Sequence, residues 1–299
     1  MTTTTAPATP PAVEPDPVPP VPSGQVGHRR RHGLLLHVGL IVGLLLMVGP
    51  FVWMILGSFK TTGELRRIPP TFIPEDPTTG NYRELFDRLD FPRYFFNSTV
   101  VALAVTAGNL LFGSMLGYAL AKLEFPGKRV LFVLMLATMM VPAIVTFMPL
   151  FVLVSNLGLA NTHLGLILPF LVGALGAFLM RQFISTIPDE LLDAARIDGA
   201  GEYTIFFRIV LPLCGPALAT LAILTFLGSW NAFLWPLVVA STEDMYTLPV
   251  AIALFAIGQQ ETNVALQMAG SVVVVLPVVI LFVAMQKYVI QGVASTGIK

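Results

Sequence analysis

The sequence predicts an all-α membrane protein with six transmembrane helices, both termini on the cytoplasmic side, and a cytoplasmic helix-turn-helix loop between the fourth and fifth helices. Three observations carry that expectation. First, the 299 residues are 55% hydrophobic but only 11% charged, where a soluble domain has about 25% charged residues, and mean hydropathy is +0.80. Second, apolar runs recur at the length a hydrocarbon core of about 30 Å needs, roughly 20 helical residues. Third, one polar stretch, Pro188 to Pro212, interrupts the runs with the signs of two short helices.

Taken in order, residues 1–32 read as a disordered tail with a basic flank. Eight prolines fall before residue 25 beside a run of threonines, and such a composition cannot bury a core. The basic cluster Arg29–Arg31 precedes an apolar run too long for a signal peptide's h-region, with no small-residue cleavage site evident. The run Leu34–Leu56 is therefore expected to be a retained first helix, within a first segment 33–57. Residues 58–98 are expected to form an extracytoplasmic loop, with Pro69, Pro70, Pro74 and Pro77 and a short helix near Asn81–Asp90. Residues 99–299 are expected to hold a five-helix core, with spans near Thr99–Ala121, Val130–Val154, His163–Met180, Leu213–Val239 and Leu266–Met285. Within it, 182–212 is the polar loop. Tyr246–Ile257 is apolar but short, and suits an interfacial or re-entrant element.

Orientation follows from Lys and Arg in the short loops. Arg29–Arg31, then Lys122, Lys128 and Arg129, then Arg181, Arg196 and Arg208, then Lys287 and Lys299 all fall on one side of a six-span arrangement. The loops after the third and fifth spans carry neither Lys nor Arg. Both termini and the 182–212 loop are thus placed in the cytoplasm of a multi-pass plasma (inner) membrane protein. The 58–98 loop dissents with six basic residues, and the other loops outvote it.

Several function classes lose support. The expected spans contain no Asp or Glu, which argues against a proton-coupled carrier. No Walker A sequence, HExxH or GxSxG occurs. The single Cys214 excludes an intrachain disulfide or multi-cysteine metal site. The net charge of zero by itself implies neither an acidic nor a basic partner, and no nucleic-acid partner is expected. The histidines read as solvated or interfacial.

The polar loop is where the chemistry concentrates. Pro188 suits a first helical turn, and Asp189 and Glu190 complement the positive end of the helix dipole. Leu191, Ala194 and Ala195 share a face by their i, i+3, i+4 spacing. Gly199 can take the positive φ that ends a helix, and a second helix is expected from Glu202 until Pro212 stops it. Tyr203, Phe206, Phe207 and Val210 are expected to pack beneath the membrane domain. A connector lying on the bilayer would also account for these features.

Asp193-Ala194-Ala195, then Gly199, Ile209 and Leu211-Pro212 resemble the EAA motif of ABC importer permeases, in which EAA is followed by three residues, G, nine residues, I, one residue and LP. The spacing matches throughout, with Asp193 in place of Glu. Trp230 to Leu237, Tyr246-Thr247-Leu248-Pro249, Gln267 to Ser271 and the ending through Gly297-Ile298-Lys299 resemble the carbohydrate, or maltose-type, branch. The likeness covers roughly 34–299. It implies a binding-protein-dependent inner-membrane permease subunit of a sugar importer, itself no enzyme. It implies that Leu191, Asp193, Ala194, Ala195, Asp198 and Gly199 couple to a cytoplasmic ABC ATPase dimer. The other implied partners are a second, homologous permease, an extracytoplasmic sugar-binding protein, the sugar and the lipid bilayer. No cofactor is implied on this chain, and ATP-Mg is implied on the partner ATPase. Trp230, Asn231 and Trp235 are candidates for the substrate pathway, since aromatic faces and amides suit sugars. An interfacial aromatic belt with an interhelical Asn would explain the same three residues. An ABC importer for another solute, or a secondary transporter, stays open.

Overall fold

The computed structural model describes residues 26–257 and 263–296, and all regular structure among them is helical. Most of the expected tail and the ending Gly297–Lys299 lie outside the described residues. The chain divides into two units, Met1–Val52 and Trp53–Lys299. The first helix, α1 (Val26–Ser58), holds the apolar run Leu36–Ser58, 23 residues with a hydropathy of 2.4.

The segment after α1 carries α2 (Thr62–Leu65) and α3 (Gly80–Arg88). It is tied by a buried polar knot. Lys60 is 2% exposed, lies 3.7 Å from Glu64, donates to Thr71 and sits over the Trp53 ring at 5.1 Å. Thr71 Oγ1 donates to Glu64 Oε1 at 2.7 Å. Asn81 Nδ2 donates to both the Ser58 and Lys60 carbonyls, at 2.8 and 2.9 Å. Burying charge costs free energy unless it is paired and hydrogen-bonded, and this knot meets that condition.

The long helix α4 (Phe91–Lys122) is the axis of the second unit. It packs along α8 (Ala174–Ile184) at one end and α11 (Gly215–Trp230) at the other. Close approach needs small residues. A Cβ on Gly117 would lie 2.8 Å from both Arg181 N and Met180 Cβ, and Gly113 faces Gly176. The Gly113–Gly117 pair therefore serves internal helix packing. A π-bulge at Asn109–Gly113 interrupts α4, and Asn109 bridges to a neighbouring helix break. Its amide nitrogen donates to Phe170 O at 2.7 Å and its oxygen accepts from Gly173 N at 2.8 Å. Those groups flank the break between α7 (His163–Phe170) and α8, where the axis bends by 42°. In a bilayer a broken helix is tolerated where its freed backbone groups find partners.

The third expected span is not one rod. It is split into α5 (Lys128–Met140) and α6 (Ala143–Asn156), bent by 103°. Pro142 has no N–H and takes an extended ψ of 132°, and Val141 before it is extended as well, as a residue preceding proline prefers. Pro149 and Pro277 lie inside helices without ending them. Among the described residues, three helices are long and apolar enough to cross a membrane, or up to six if each bent pair is one span. The fifth expected span begins after an 81° bend between α10 (Glu202–Leu213) and α11. It stops at Trp230, before α12 (Leu234–Val239). The short apolar stretch near 246–257 forms α13 (Leu248–Ile257), and α14 (Val264–Thr296) packs on α3, α11 and α13. His163, expected to be solvated, has its Nε2 3.0 Å from Asn97 Oδ1.

Candidate functional site

The helix-glycine-helix unit is built as the spacing predicts, with three differences in detail. Its first helix, α9 (Asp189–Ile197), starts one residue after Pro188, which takes φ −58°, ψ 136° at the cap position. Asp189 and Glu190 occupy the first turn and Arg196 the last, so both ends complement the helix dipole. The turn is a Schellman motif: Gly199 N–H donates to Arg196 O and Ala200 N–H to Ala195 O, both at 3.0 Å. Gly199 has φ +83°, and no atom lies within 4 Å of where a Cβ would sit. Backbone conformation, not space, requires glycine there.

The face expected from Leu191, Ala194 and Ala195 splits in the structure. Leu192, 1% exposed, is the anchor, packed with Tyr118, Met180, Ile184, Ile205 and Val210. Ala195 is partly buried against that cluster. Leu191, Asp193, Ala194, Ile197, Asp198 and Gly199 are exposed, Ile197 at 86%. The second difference is in α10. Phe206 and Val210 are buried as expected, but Tyr203 is 75% and Phe207 45% exposed. The helical stagger of about 100° per residue turns them away from the Ile205–Phe206–Val210 side. The third is that α10 continues through Pro212 to Leu213.

Polar contacts join this unit to α4. Arg196 donates from Nη1 to Asp193 Oδ1 at 2.8 Å and from Nε to Glu202 Oε1 at 2.9 Å. Glu202 Oε2 accepts from the Tyr118 hydroxyl at 2.5 Å. The hydrogen bonds that Arg196 donates to Glu202 and then to Asp193 hold its guanidinium even more firmly protonated than usual. Lys122, 5% exposed, reaches Asp189 Oδ1 at 2.6 Å and Ile187 O at 2.5 Å. That ammonium keeps the Asp189 carboxyl below the ordinary carboxylate range. Reading the sequence missed Tyr118, Lys122, Arg196 and Glu202 as parts of this site. Tyr118 and Lys122 are four apart on α4 and share a face, a signal that was available.

The structure does not bring Trp230, Asn231 and Trp235 together as an aromatic platform. Trp230 is 2% exposed, stacked on Phe226 at 5.6 Å, and its Nε1 donates to Val274 O at 3.0 Å. Trp235 is 6% exposed in a different cluster, edge-on to Phe147 and Phe170, with Nε1 donating to Gly165 O at 3.2 Å. Asn231 is exposed. Trp235 also borders a cavity of about 260 Å³ lined by Asn109, Thr225 and Ser229.

Residues 109–295 match the family model described as "Binding-protein-dependent transport system inner membrane component". The chain is 42% identical over 268 residues to the arabinooligosaccharides transport system permease protein AraQ of Halalkalibacterium halodurans, covering 89% of this chain and 96% of that one. It is 34% identical to the diacetylchitobiose uptake system permease protein NgcG of Streptomyces coelicolor, covering 90% and 89%. It is 32% identical to the sn-glycerol-3-phosphate transport system permease protein UgpE of Pectobacterium atrosepticum, covering 91% and 99%. In fold it is similar to a chain from the crystal structure of a bacterial ABC transporter that imports the acidic polysaccharide alginate. The TM-score is 0.76 at 24% identity, over 88% of this chain and 98% of that one. The chain is therefore a multi-pass membrane protein that belongs to the binding-protein-dependent transport system inner membrane component family.

Proposed function

We propose that this chain is one permease subunit of an ATP-driven, binding-protein-dependent sugar importer, forming half of the translocation pathway. The sugar class rests on the relatives, above all the 42% identity to an arabinooligosaccharide permease across 89% of the chain. The observation that carries the coupling role is the exposed ridge Leu191, Ala194, Ile197 and Tyr203, set on a helix pair that Leu192 pins to the core. In this reading the ridge, with Asp193, Ala195, Asp198 and Gly199, docks on a cytoplasmic ABC ATPase dimer. Closure of that dimer around ATP-Mg moves α9. The Arg196–Glu202–Tyr118 chain and the Lys122–Asp189 pair pass the movement to α4, and the break bridged by Asn109 lets α7 and α8 tilt. This chain carries out no covalent step.

The same reading has six spans, each bent pair counting once, with both termini in the cytoplasm. An extracytoplasmic sugar-binding protein docks opposite the helix pair. The exposed apolar faces, such as Ile144, Val145 and Met148 on α6, meet lipid or a second, homologous permease. Asn231 and the Trp235 side of the 260 Å³ cavity face the pathway, with Trp230 behind them.

Gly199→Asp or Ala195→Asp should abolish uptake of a labelled oligosaccharide and ATPase co-purification while leaving membrane insertion intact. Normal uptake with a normally assembled ATPase would refute the coupling role. A topology reporter after Gly201 should read cytoplasm and one after Glu243 the outside. The glycerol-phosphate relatives favour a second reading, a polyol phosphate as cargo. Uptake of that solute without any sugar would select it.

A further inference from the structure

Where α4 ends, α5 begins and α8 ends, a cleft of about 570 Å³ opens, lined in part by Glu124, Phe125, Lys128, Arg129, Phe132 and Arg181. Its charges are unbalanced. Lys128 pairs with Glu124 at 3.0 Å, but Arg129 and Arg181 have no carboxylate partner among the described residues. Arg181 Nε is buried without a hydrogen-bond partner, and its guanidinium lies 4.0 Å over the Phe132 ring. A buried donor left unpaired is energetically unfavourable, and this guanidinium rests on the Phe132 ring, so its positive charge is not neutralised by a carboxylate among the described residues. The 13-residue α5 starts beside it at Gly127, φ +86°, with no side-chain cap, so its first N–H groups add to the positive field.

We propose that this cleft binds a phosphate-bearing anion, the headgroup of an anionic membrane phospholipid. Two guanidiniums and a helix N-terminus suit phosphate oxygens. A free phosphate would satisfy the same cations, but the next residues of α5 favour a lipid. Val130, Val133 and Leu134 are 62%, 55% and 58% exposed, an apolar strip on which acyl chains lie while the headgroup sits in the cleft. Basic pockets between membrane helices hold anionic headgroups in this way. The site does not depend on the cargo, so it stands or falls separately from the sugar assignment.

The test is native mass spectrometry of the full chain in detergent with phosphatidylglycerol or phosphatidylcholine of the same acyl chains, and with inorganic phosphate. The wild type should retain phosphatidylglycerol preferentially. Arg129→Gln and Arg181→Gln should each weaken that retention about fivefold and leave phosphatidylcholine unchanged. Glu124→Gln removes the one carboxylate in the cleft and should strengthen it, which keeps the test decisive if an arginine variant fails to fold. Equal retention of the two lipids by the wild type, or phosphatidylglycerol retention that ignores all three substitutions, overturns the proposal. Binding of inorganic phosphate with no lipid preference overturns the lipid as source. Loss of the preference once the ATPase is bound would show an acidic protein surface covering the cleft, and overturns it too.

Discussion

The two polar segments of this chain, 58–90 and 188–213, sit between apolar helices and are organised in opposite ways. The first turns one charged pair inward: Lys60 and Glu64 are buried and bonded to Thr71, and Asn81 holds two main-chain carbonyls, while its other pairs, Arg67–Glu75 and Arg88–Glu84, stay at the surface. Its exposed apolar residues, Ile68, Phe72 and Ile73, lie outside that knot. The second segment buries aliphatic and aromatic side chains, Leu192, Ile205, Phe206 and Val210, and leaves its ion pairs on a solvated rim. A buried charged network is specific and self-contained, because each member needs its partner. An aliphatic anchor positions a helix while leaving the outer surface open for another protein. That contrast leaves 188–213 with an open outer face, as the proposed docking role requires, and makes 58–90 a self-contained knot.

The largest effect should come from the aliphatic anchor. Leu192→Ala should destabilise the α9 packing by about 2–5 kcal/mol, read as loss of hydrogen-exchange protection over 189–200. Wild-type protection would mean that α9 does not depend on the buried side. Next is the knot. Asn81→Ala leaves two buried carbonyls without their donor and should cost about 1–3 kcal/mol, seen as faster proteolysis within 58–90 and unchanged protection in α9. Loosening of both segments together would erase the distinction between them. Arg196→Gln removes bonds on a partly exposed rim and should cost under about 1 kcal/mol, yet reduce uptake more than stability. Ile197→Ala should leave stability within about 0.5 kcal/mol and still weaken ATPase co-purification. Unaltered co-purification would remove Ile197 from the docking ridge.

The smallest effect is pH-dependent. Hydrogen bonding to Thr71 holds the Glu64 carboxyl below its ordinary 4.5, and Lys122 holds Asp189 below 3.8. A lowered folded-state pKa contributes stability that is fully present above the ordinary value and is lost as pH falls through the lowered one. Hydrogen-exchange protection of both segments should therefore be flat from about pH 5 to 8 and fall only in stronger acid. Asp189→Asn should remove the acid sensitivity of α9 and leave that of 58–90. Protection that already declines near neutrality would contradict both assignments.

The split between legible and illegible features follows the range of the interactions. Helix, glycine turn and helix were readable at 188–213 because capping, dipole and positive-φ preferences act within a few residues. The apolar runs were readable because hydrophobicity is a property of composition. Two glycines four apart, such as Gly113 and Gly117, permit a close helix contact but do not name its partner, which is α8. Proline was an ambiguous signal: Pro142 accompanies a 103° bend while Pro149 and Pro277 do not end their helices, since neighbouring helices decide whether a lost backbone bond is made good. The indole rings of Trp230 and Trp235 looked like ligand platforms, and packing turned them into core with their N–H groups spent on backbone carbonyls. Tyr118 and Lys122 are 84 and 67 residues from Glu202 and Asp189. The sequence alone determined that this chain lives in a membrane and presents an EAA-type helix pair. Only tertiary structure decided which residues tie that pair to α4 and which aromatic side chains are exposed, because those outcomes depend on contacts between segments far apart in the chain.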